Sequence, residues 1–408
     1  MQGTSRQALK TTLRDSEGWG LYVHIPFCVR KCPYCDFTVA VLRDPPEEAY
    51  IRALWDEFDA RALEKHGPLR TIYMGGGTPG LLKASSVRLF GEERRARMPD
   101  NTLDEFSVEF NPEHADEERL RAWVDAGATR ISMGVQALHP EALKILGRQH
   151  QPHHVFEAIE NARRAGFEHI SIDFIFAVPG VKHAQTLRDI QRAVSIPGVD
   201  HISLYELTVE ERTAFGVKRR RGLLPKLPDE QVLEDWRELS ELLEAEGLQR
   251  YEVSNFARPN ARGQHNAAYW TGRPYLGVGV GAASLAWEAD ENGRPRAIQR
   301  RQNRAQLRGY LQDPLEGAVI EQVTWEDHLG ELLCLGIRTE PGLDLELLEA
   351  RFGLALPAVE AELQLWRRQG LSGGAQRHYS MRRGAMEIAD SLALKLLDAL
   401  DKDLELLA

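Results

Sequence analysis

The sequence predicts an α/β chain, a curved and incomplete parallel barrel followed by a helical C-terminal domain. Between Leu21 and Leu207 short β-type runs alternate with longer helical segments, the order expected of βαβ units. Those runs alternate apolar with polar residues, whereas parallel strands covered by helices on both faces read as continuously apolar. From about Gln306 onward helical runs replace the strand signals.

The predicted strands cover 21–25, 71–74, 106–110, 130–136, 169–176 and 201–207. The helices between them include 46–66, 115–126, 154–165 and 183–194, with Ala126-Gly127 and Ala165-Gly166 standing where C-caps belong. In the first strand Leu21, Val23 and Ile25 alternate with Tyr22 and His24, and in the third Phe106, Val108 and Phe110 alternate with Ser107 and Glu109. The later strands oppose Ser132 and Gln136, Ser171 and Asp173, and Ser203 and Tyr205 to their apolar residues. One face of the sheet is therefore polar. A packed barrel core wants branched apolar residues there, so this face is expected to line a hydrated or ligand-filled interior. An ordinary doubly wound sheet with a few satisfied core polars is the alternative.

After residue 210, Lys218-Arg219-Arg220-Arg221 with Pro225 and Pro228 reads as an exposed connector, whose cations could also meet carboxylates of a ligand. A helix is expected over 229–246, with Val232, Leu233, Trp236, Leu239 and Leu243 on one face. A Gly- and aromatic-rich stretch covers 251–287, and C-terminal helices are expected over 325–337, 343–352, 357–368 and 386–407. The domains expected are an N-terminal extension over 1–20, the barrel over 21–215, a barrel extension over 216–305 and the helical domain over 306–408.

Composition narrows the function. Of 408 residues, 51 are Lys or Arg against 61 Asp or Glu, a net charge of -10 that disfavours a nucleic-acid binder. No apolar run reaches the ~18 residues of a transmembrane helix. Residues 1–20 lack the apolar core of a secretory signal, so a reducing, cytoplasmic setting is expected.

Four cysteines occur, and three of them, Cys28, Cys32 and Cys35, fall within eight residues just past the first strand. In a parallel barrel that is the catalytic, C-terminal end of the strands. A 4Fe-4S cube held by three thiolates leaves one iron open to a ligand. A zinc site completed by His24 and a redox dithiol are the competing readings; only Cys32 and Cys35 make the Cys-x-x-Cys pair that zinc sites favour. Cys334, in an apolar helical run, reads as a buried structural thiol.

The turn Gly75-Gly76-Gly77-Thr78-Pro79-Gly80 follows the second strand and satisfies G-x-G-x-x-G, with Glu109 standing in for the acid that binds a ribose. A dinucleotide-dependent oxidoreductase is thus a rival reading. Against it, Pro79 sits where a phosphate-binding turn needs free N–H groups, and the run opens the second βα unit, after the cysteine loop.

The cysteine trio, the Gly-Gly-Gly-Thr-Pro turn and the strands after it resemble the radical S-adenosylmethionine (SAM) superfamily, whose fold is a partial (β/α)6 barrel. The resemblance implies that Cys28, Cys32 and Cys35 hold a 4Fe-4S cluster and that SAM chelates its open iron. It also implies that Tyr34 lies near the adenine and that Gly76, Gly77 and Thr78 contact the methionine end. Tyr22-Val-His-Ile-Pro-Phe-Cys, Glu109-Phe-Asn-Pro, Gly134-Val-Gln, Leu146-Gly-Arg-Gln-His, Asp173-Phe-Ile-Phe and Ser203-Leu-Tyr-Glu-Leu-Thr are similar to the anaerobic coproporphyrinogen III oxidase group. Carried over by motif, Tyr22, Glu109, Gln136, Arg148 and Asp173 are cofactor or substrate contacts.

Two branches of that group differ in their loops. The decarboxylating oxidase has a further Cys two residues after the third cluster ligand and a longer N-terminal segment, where this sequence has Phe37 and about twenty residues. Gln264-His-Asn-Ala-Ala-Tyr-Trp270 instead resembles the HNxxYW signature of the haem chaperone branch, and Tyr251-Glu-Val-Ser-Asn-Phe and Tyr275-Leu-Gly-Val-Gly-Val-Gly-Ala fit it too. Ala283, Val181 and Gln264 depart from the pattern of that branch. His265 is the candidate haem ligand, with Tyr269 and Trp270 able to stack on a macrocycle; a hydrogen-bonded structural knot is the alternative for the motif.

The expectation is thus a chaperone holding a 4Fe-4S cluster, SAM and haem, with haem-accepting proteins as partners, membrane-associated ones among them. The oxidase, which decarboxylates coproporphyrinogen III to protoporphyrinogen IX, is the first alternative and the dinucleotide oxidoreductase the second.

Overall fold

The computed structural model describes residues 18–62, 67–98, 103–290 and 294–406. The expected extension over 1–20 falls outside the described residues as far as residue 17, as do the last residues of the helices expected over 46–66 and 386–407.

Six parallel strands follow one another across the sheet in chain order: β1 (Trp19–Ile25), β2 (Leu69–Gly76), β3 (Glu105–Phe110), β4 (Arg130–Gln136), β5 (His169–Phe176) and β6 (Val199–Glu206). β4 and β5 match the sequence expectation to the residue, and the others extend it by one or two residues at an end, with β6 also stopping one short. Past β6 the sheet continues with antiparallel β8 (Asn255–Ala257), which pairs with the preceding short strand β7 (Gln249–Arg250). On the free side of β1 lies a seventh parallel strand, β9 (Tyr275–Val278). Antiparallel β10 (Ala283–Ala289), β11 (Pro295–Gln302) and β12 (Val319–Val323) complete a sheet of twelve. The glycine-rich stretch thus supplies barrel strands, and the segment read as helical from Gln306 also lends the sheet its last strand.

The crossover helices are α1 (Glu47–Arg61), α2 (Ala84–Arg97), α3 (Glu117–Asp125), α4 (Pro140–Leu146), α5 (Pro152–Ala165) and α6 (His183–Val194). Their ends carry the expected local chemistry. The Asp116 carboxylate accepts the Arg119 N–H at the start of α3, Pro152 opens α5 where a helix N–H has no partner in any case, and Gly166 ends it in a left-handed conformation at φ 108°. Period-two alternation does the rest. Leu21, Val23, Ile72, Met74, Phe106, Val108, Ile131, Met133, Ile170 and Ile172 are buried in one core with Trp55, Phe90, Trp123, Val155 and Ile190 of these helices.

The basic run is not a connector. Lys218, Arg219 and Arg220 form the last turn of helix α7 (Ala214–Arg220), where cations meet the negative end of the helix dipole, and the Thr213 hydroxyl caps the other end. After α8 (Asp229–Ala245) comes α9 (Gln264–Trp270), so the HNxxYW signature is helical. The C-terminal helices α10 (Leu307–Gln312), α11 (Trp325–Gly336), α12 (Leu345–Phe352), α13 (Pro357–Arg368), α14 (Arg383–Glu387) and α15 (Ala389–Glu405) follow. A second core gathers Leu329, Leu333, Trp366, Tyr379 and Leu396, and half-buried Cys334 packs against it. No helix among the described residues is long and apolar enough to cross a membrane.

Trp123 on α3 sits edge-on to Phe106 of β3 at 6.1 Å and touches Phe90 of α2, fully buried. Trp123→Ala should destabilise the protein by about 3–5 kcal/mol through lost burial and the cavity left behind, measured by urea unfolding.

Candidate functional site

Tyr22, Tyr73, Ser107, Glu109, Ser132, Ser171, Asp173, Ser203 and Tyr205 all line one cavity of about 660 Å³. Five strand steps separate β1 from β6, about 24 Å if the sheet were flat. A cavity of this size touches both only if the sheet curls around it, so the polar face lines a lumen, as the alternation implied.

At the C-terminal ends of the strands the lumen is ringed by loops that are hydrogen-bonded to one another. The Gly77 N–H donates to the Ile25 carbonyl at 2.8 Å and the Thr78 N–H to the Phe27 carbonyl at 2.9 Å, which fastens the glycine turn to the root of the cysteine loop. A Cβ on Gly77 would lie 2.8 Å from those carbonyl oxygens, and one on Gly76, at φ +105°, would lie 2.3 Å from the His24 ring. Cys28, Cys32 and Cys35 all line the cavity as free thiols. The Cys28 sulfur is 3.5 Å from the Thr78 hydroxyl, which accepts from the Asn111 amide at 3.3 Å. Asn111 in turn accepts from Arg148, whose guanidinium also donates to the Gly134 carbonyl at 2.6 Å and lies 3.9 Å from the Cys32 sulfur. An arc of side chains from four loops thus joins two of the cysteines.

This donor set suits a cluster. Three thiols face the lumen, and a cation stands beside one of them. The zinc alternative fails on His24: its Nε2 contacts the Thr38 carbonyl at 2.8 Å and its Nδ1 the Tyr22 hydroxyl at 3.0 Å. The dinucleotide alternative fails as well. The Gly76 N–H donates to Glu109 at 3.1 Å, the next two amides are bonded as above, and Pro79 has no N–H, so the amides a phosphate-binding turn would offer at 76–79 are taken or missing.

Around the lumen wall stand the other expected residues. Glu109 accepts from the Tyr73 hydroxyl at 2.8 Å and from Gly76; burial pushes its carboxyl up to about 7. Asp173 accepts from Ser132 at 3.2 Å, and burial raises it to about 6. Gln136 sits at a β-bulge with φ +66°, a conformation that turns its side chain to the cavity. Tyr34 lines the cavity and contacts the Phe215 ring at 6.5 Å, and burial raises its hydroxyl well above the ordinary range.

The opposite end of the lumen, at the strand starts, is closed by α9. The buried Glu105 carboxylate accepts the N–H groups of Gln264 and His265 at 2.9 and 3.2 Å, the Ser107 hydroxyl at 2.8 Å and Arg130 at 2.9 Å. Arg130 also donates to Ser171 at 3.1 Å and to the Ala261 and Arg262 carbonyls at 2.8 and 3.2 Å. His265, 1% exposed, engages the Thr71 hydroxyl through Nδ1 and the Tyr269 hydroxyl through Nε2, both at 2.8 Å, and stacks on Tyr73. An axial bond from His265 to an iron would have to replace one of those two hydrogen bonds. Asn266 and Tyr269 line the cavity; Trp270 is not among the lining residues. Glu105 and Arg130 escaped the sequence reading, although Glu105 shares strand parity with Ser107 and Glu109, and Arg130 with Ser132 and Gln136.

Comparison with known proteins assigns this architecture. The Radical SAM superfamily model matches residues 22–193. The heme chaperone HemW of Lactococcus lactis is 35% identical over 344 residues, 84% of this chain and 87% of that protein. The chain belongs to the HemW family. The HemW of Bacillus subtilis is 33% identical, covering 83% of this chain and 88% of its own. Among solved structures, the radical SAM enzyme coproporphyrinogen III oxidase (HemN) of Escherichia coli superposes with a TM-score of 0.75 over 96% of this chain and 93% of that one, at 22% identity, which shows a shared fold. The Radical SAM match over residues 22–193 implies a 4Fe-4S cluster and SAM. In this HemW-family chain Cys28, Cys32 and Cys35 would hold the cluster, which with SAM supplies one-electron chemistry when bound.

Two outcomes follow. Cys32→Ala should abolish the ~4 iron per chain of a reconstituted cube, measured by iron and sulfide analysis, while Cys334→Ala should retain it. Because burial raises Glu109 from 4.5 to about 7, its contribution to stability is full below 4.5 and is lost as pH rises through 7. In thermal scans of the apo-protein, the Glu109→Gln midpoint should therefore gain on that of the wild type between pH 5 and 8.

Proposed function

We propose that this protein binds haem and hands it to haem-requiring proteins. One observation carries the reading: a single lumen has the cysteine loop at one end and the helical HNxxYW signature closing the other. The near full-length likeness to proteins named heme chaperones supports it. The chain's own residues divide the work. The loop arc from Cys28 to Arg148 positions the cluster thiols, Glu109, Asp173 and Gln136 present hydrogen-bonding groups to SAM, and the lumen wall excludes bulk water. Reduced thiols in the loop suit work in the cytoplasm, with acceptor haemoproteins there or at its membrane.

The oxidase reading draws on the fold shared with HemN. Where the oxidase branch has a thiol, this chain presents the 59% exposed Phe37 ring at the mouth of the lumen. Titration of the anaerobically reconstituted protein with haem should give a saturable Soret shift. Coproporphyrinogen III with reductant and SAM should yield no protoporphyrinogen by fluorescence. Decarboxylation without haem binding would replace the chaperone by the enzyme.

A further inference from the structure

We propose that haem lies across the open mouth of the lumen, with its propionates on Arg30 and Lys31 and its macrocycle against Val29 and Phe37, and that His265 is a structural peg of the floor. This rests on the haem-binding reading and says where that binding occurs. Haem brings two carboxylates on a broad apolar disc, so its site must offer cations beside exposed apolar surface.

The floor offers neither. Arg130 is committed to Glu105, Ser171 and two backbone carbonyls, and the wall around it is polar. Both His265 ring nitrogens are bonded, and burial holds the imidazole neutral, with its pKa lowered to about 4. Higher in the lumen, Arg148 is committed to Asn111, Gly134 and Cys32.

The mouth offers both. Val29 and Phe37 are 48% and 59% exposed, a large apolar surface for two side chains on one short loop. Arg30 and Lys31 are exposed between them and line the same cavity; neither forms an ion pair among the described residues, and the Lys31 ammonium donates to the Phe37 carbonyl at 3.4 Å while its charge also acts on the nearby Cys35 thiol. The carboxylates at the mouth set the orientation. Glu206 ends β6 and Glu210 follows it on the lip, so the propionates are repelled there and drawn to the Arg30–Lys31 side. A carrier also has to release its cargo. Haem held at an open rim leaves one face for an acceptor to approach, which a disc sealed beneath α9 would not.

The test compares haem with its dimethyl ester, which keeps the disc and the iron and lacks the carboxylate charges, in Soret titrations of the cluster-loaded protein. Wild type should prefer haem by about tenfold, the sum of two partly exposed ion pairs. Arg30→Gln/Lys31→Gln should lose that preference while keeping ~4 iron per chain, and His265→Gln should keep it. Equal binding of both compounds by the wild type overturns the proposal, with no dependence on how any variant folds. So does a preference that survives in the double variant, or haem affinity lost in His265→Gln with its cluster intact. Failure of the wild type to bind either compound overturns the haem reading itself.

Discussion

A polar side chain on a parallel strand whose other face is covered by helices needs water or a ligand beside it, because burying it unpaired costs several kcal/mol. Here nearly every strand from β1 to β6 carries such residues on the same face, and the apolar residues between them are packed against α1 to α6. The sheet therefore curls into a lined lumen instead of lying flat between two helical layers. The candidate site is arranged with respect to that lumen: the cysteine loop at the strand ends, the signature helix at the strand starts, and Glu109 and Asp173 along the wall.

The two ends are built by different means. At the cysteine-loop end the backbone does the joining, with the glycine turn bonded to the root of that loop and no room for a Cβ at Gly76 or Gly77. Side chains then complete the arc from Cys28 through Thr78 and Asn111 to Arg148 and Cys32. At the floor a buried ion pair does the joining. Glu105 caps the first turn of α9 and Arg130 holds the loop before it, so each charge is met by its partner and by dipoles. The floor is charge-compensated, while the mouth keeps exposed cations beside the exposed side chains of Val29 and Phe37. That contrast is what the proposed haem site at the mouth rests on.

Much of this was legible in the order of residues. Period-two alternation gave the strands and the sense in which Tyr22, Glu109 and Asp173 point, since neighbouring side chains on a strand must face opposite ways. Local signals also marked helix ends at Asp116 and Gly166, where capping depends on a few consecutive residues. The spacing of Cys28, Cys32 and Cys35 on one loop announced a site for the same reason. Other features depend on which loops meet. Glu105 and Arg130 look like ordinary strand-start charges until α9, more than 130 residues later in the chain, arrives to use them. The basic run around Lys218 read as a connector because its helix is short and capped by Thr213, a signal outweighed by the nearby prolines. Sequence alone therefore determined the strands, their polar face and the cysteine loop, all of which follow from local period and spacing. Which end of the lumen each motif occupies, and whether His265 has a free nitrogen, came only with the closed sheet, because both turn on contacts between residues far apart in the chain.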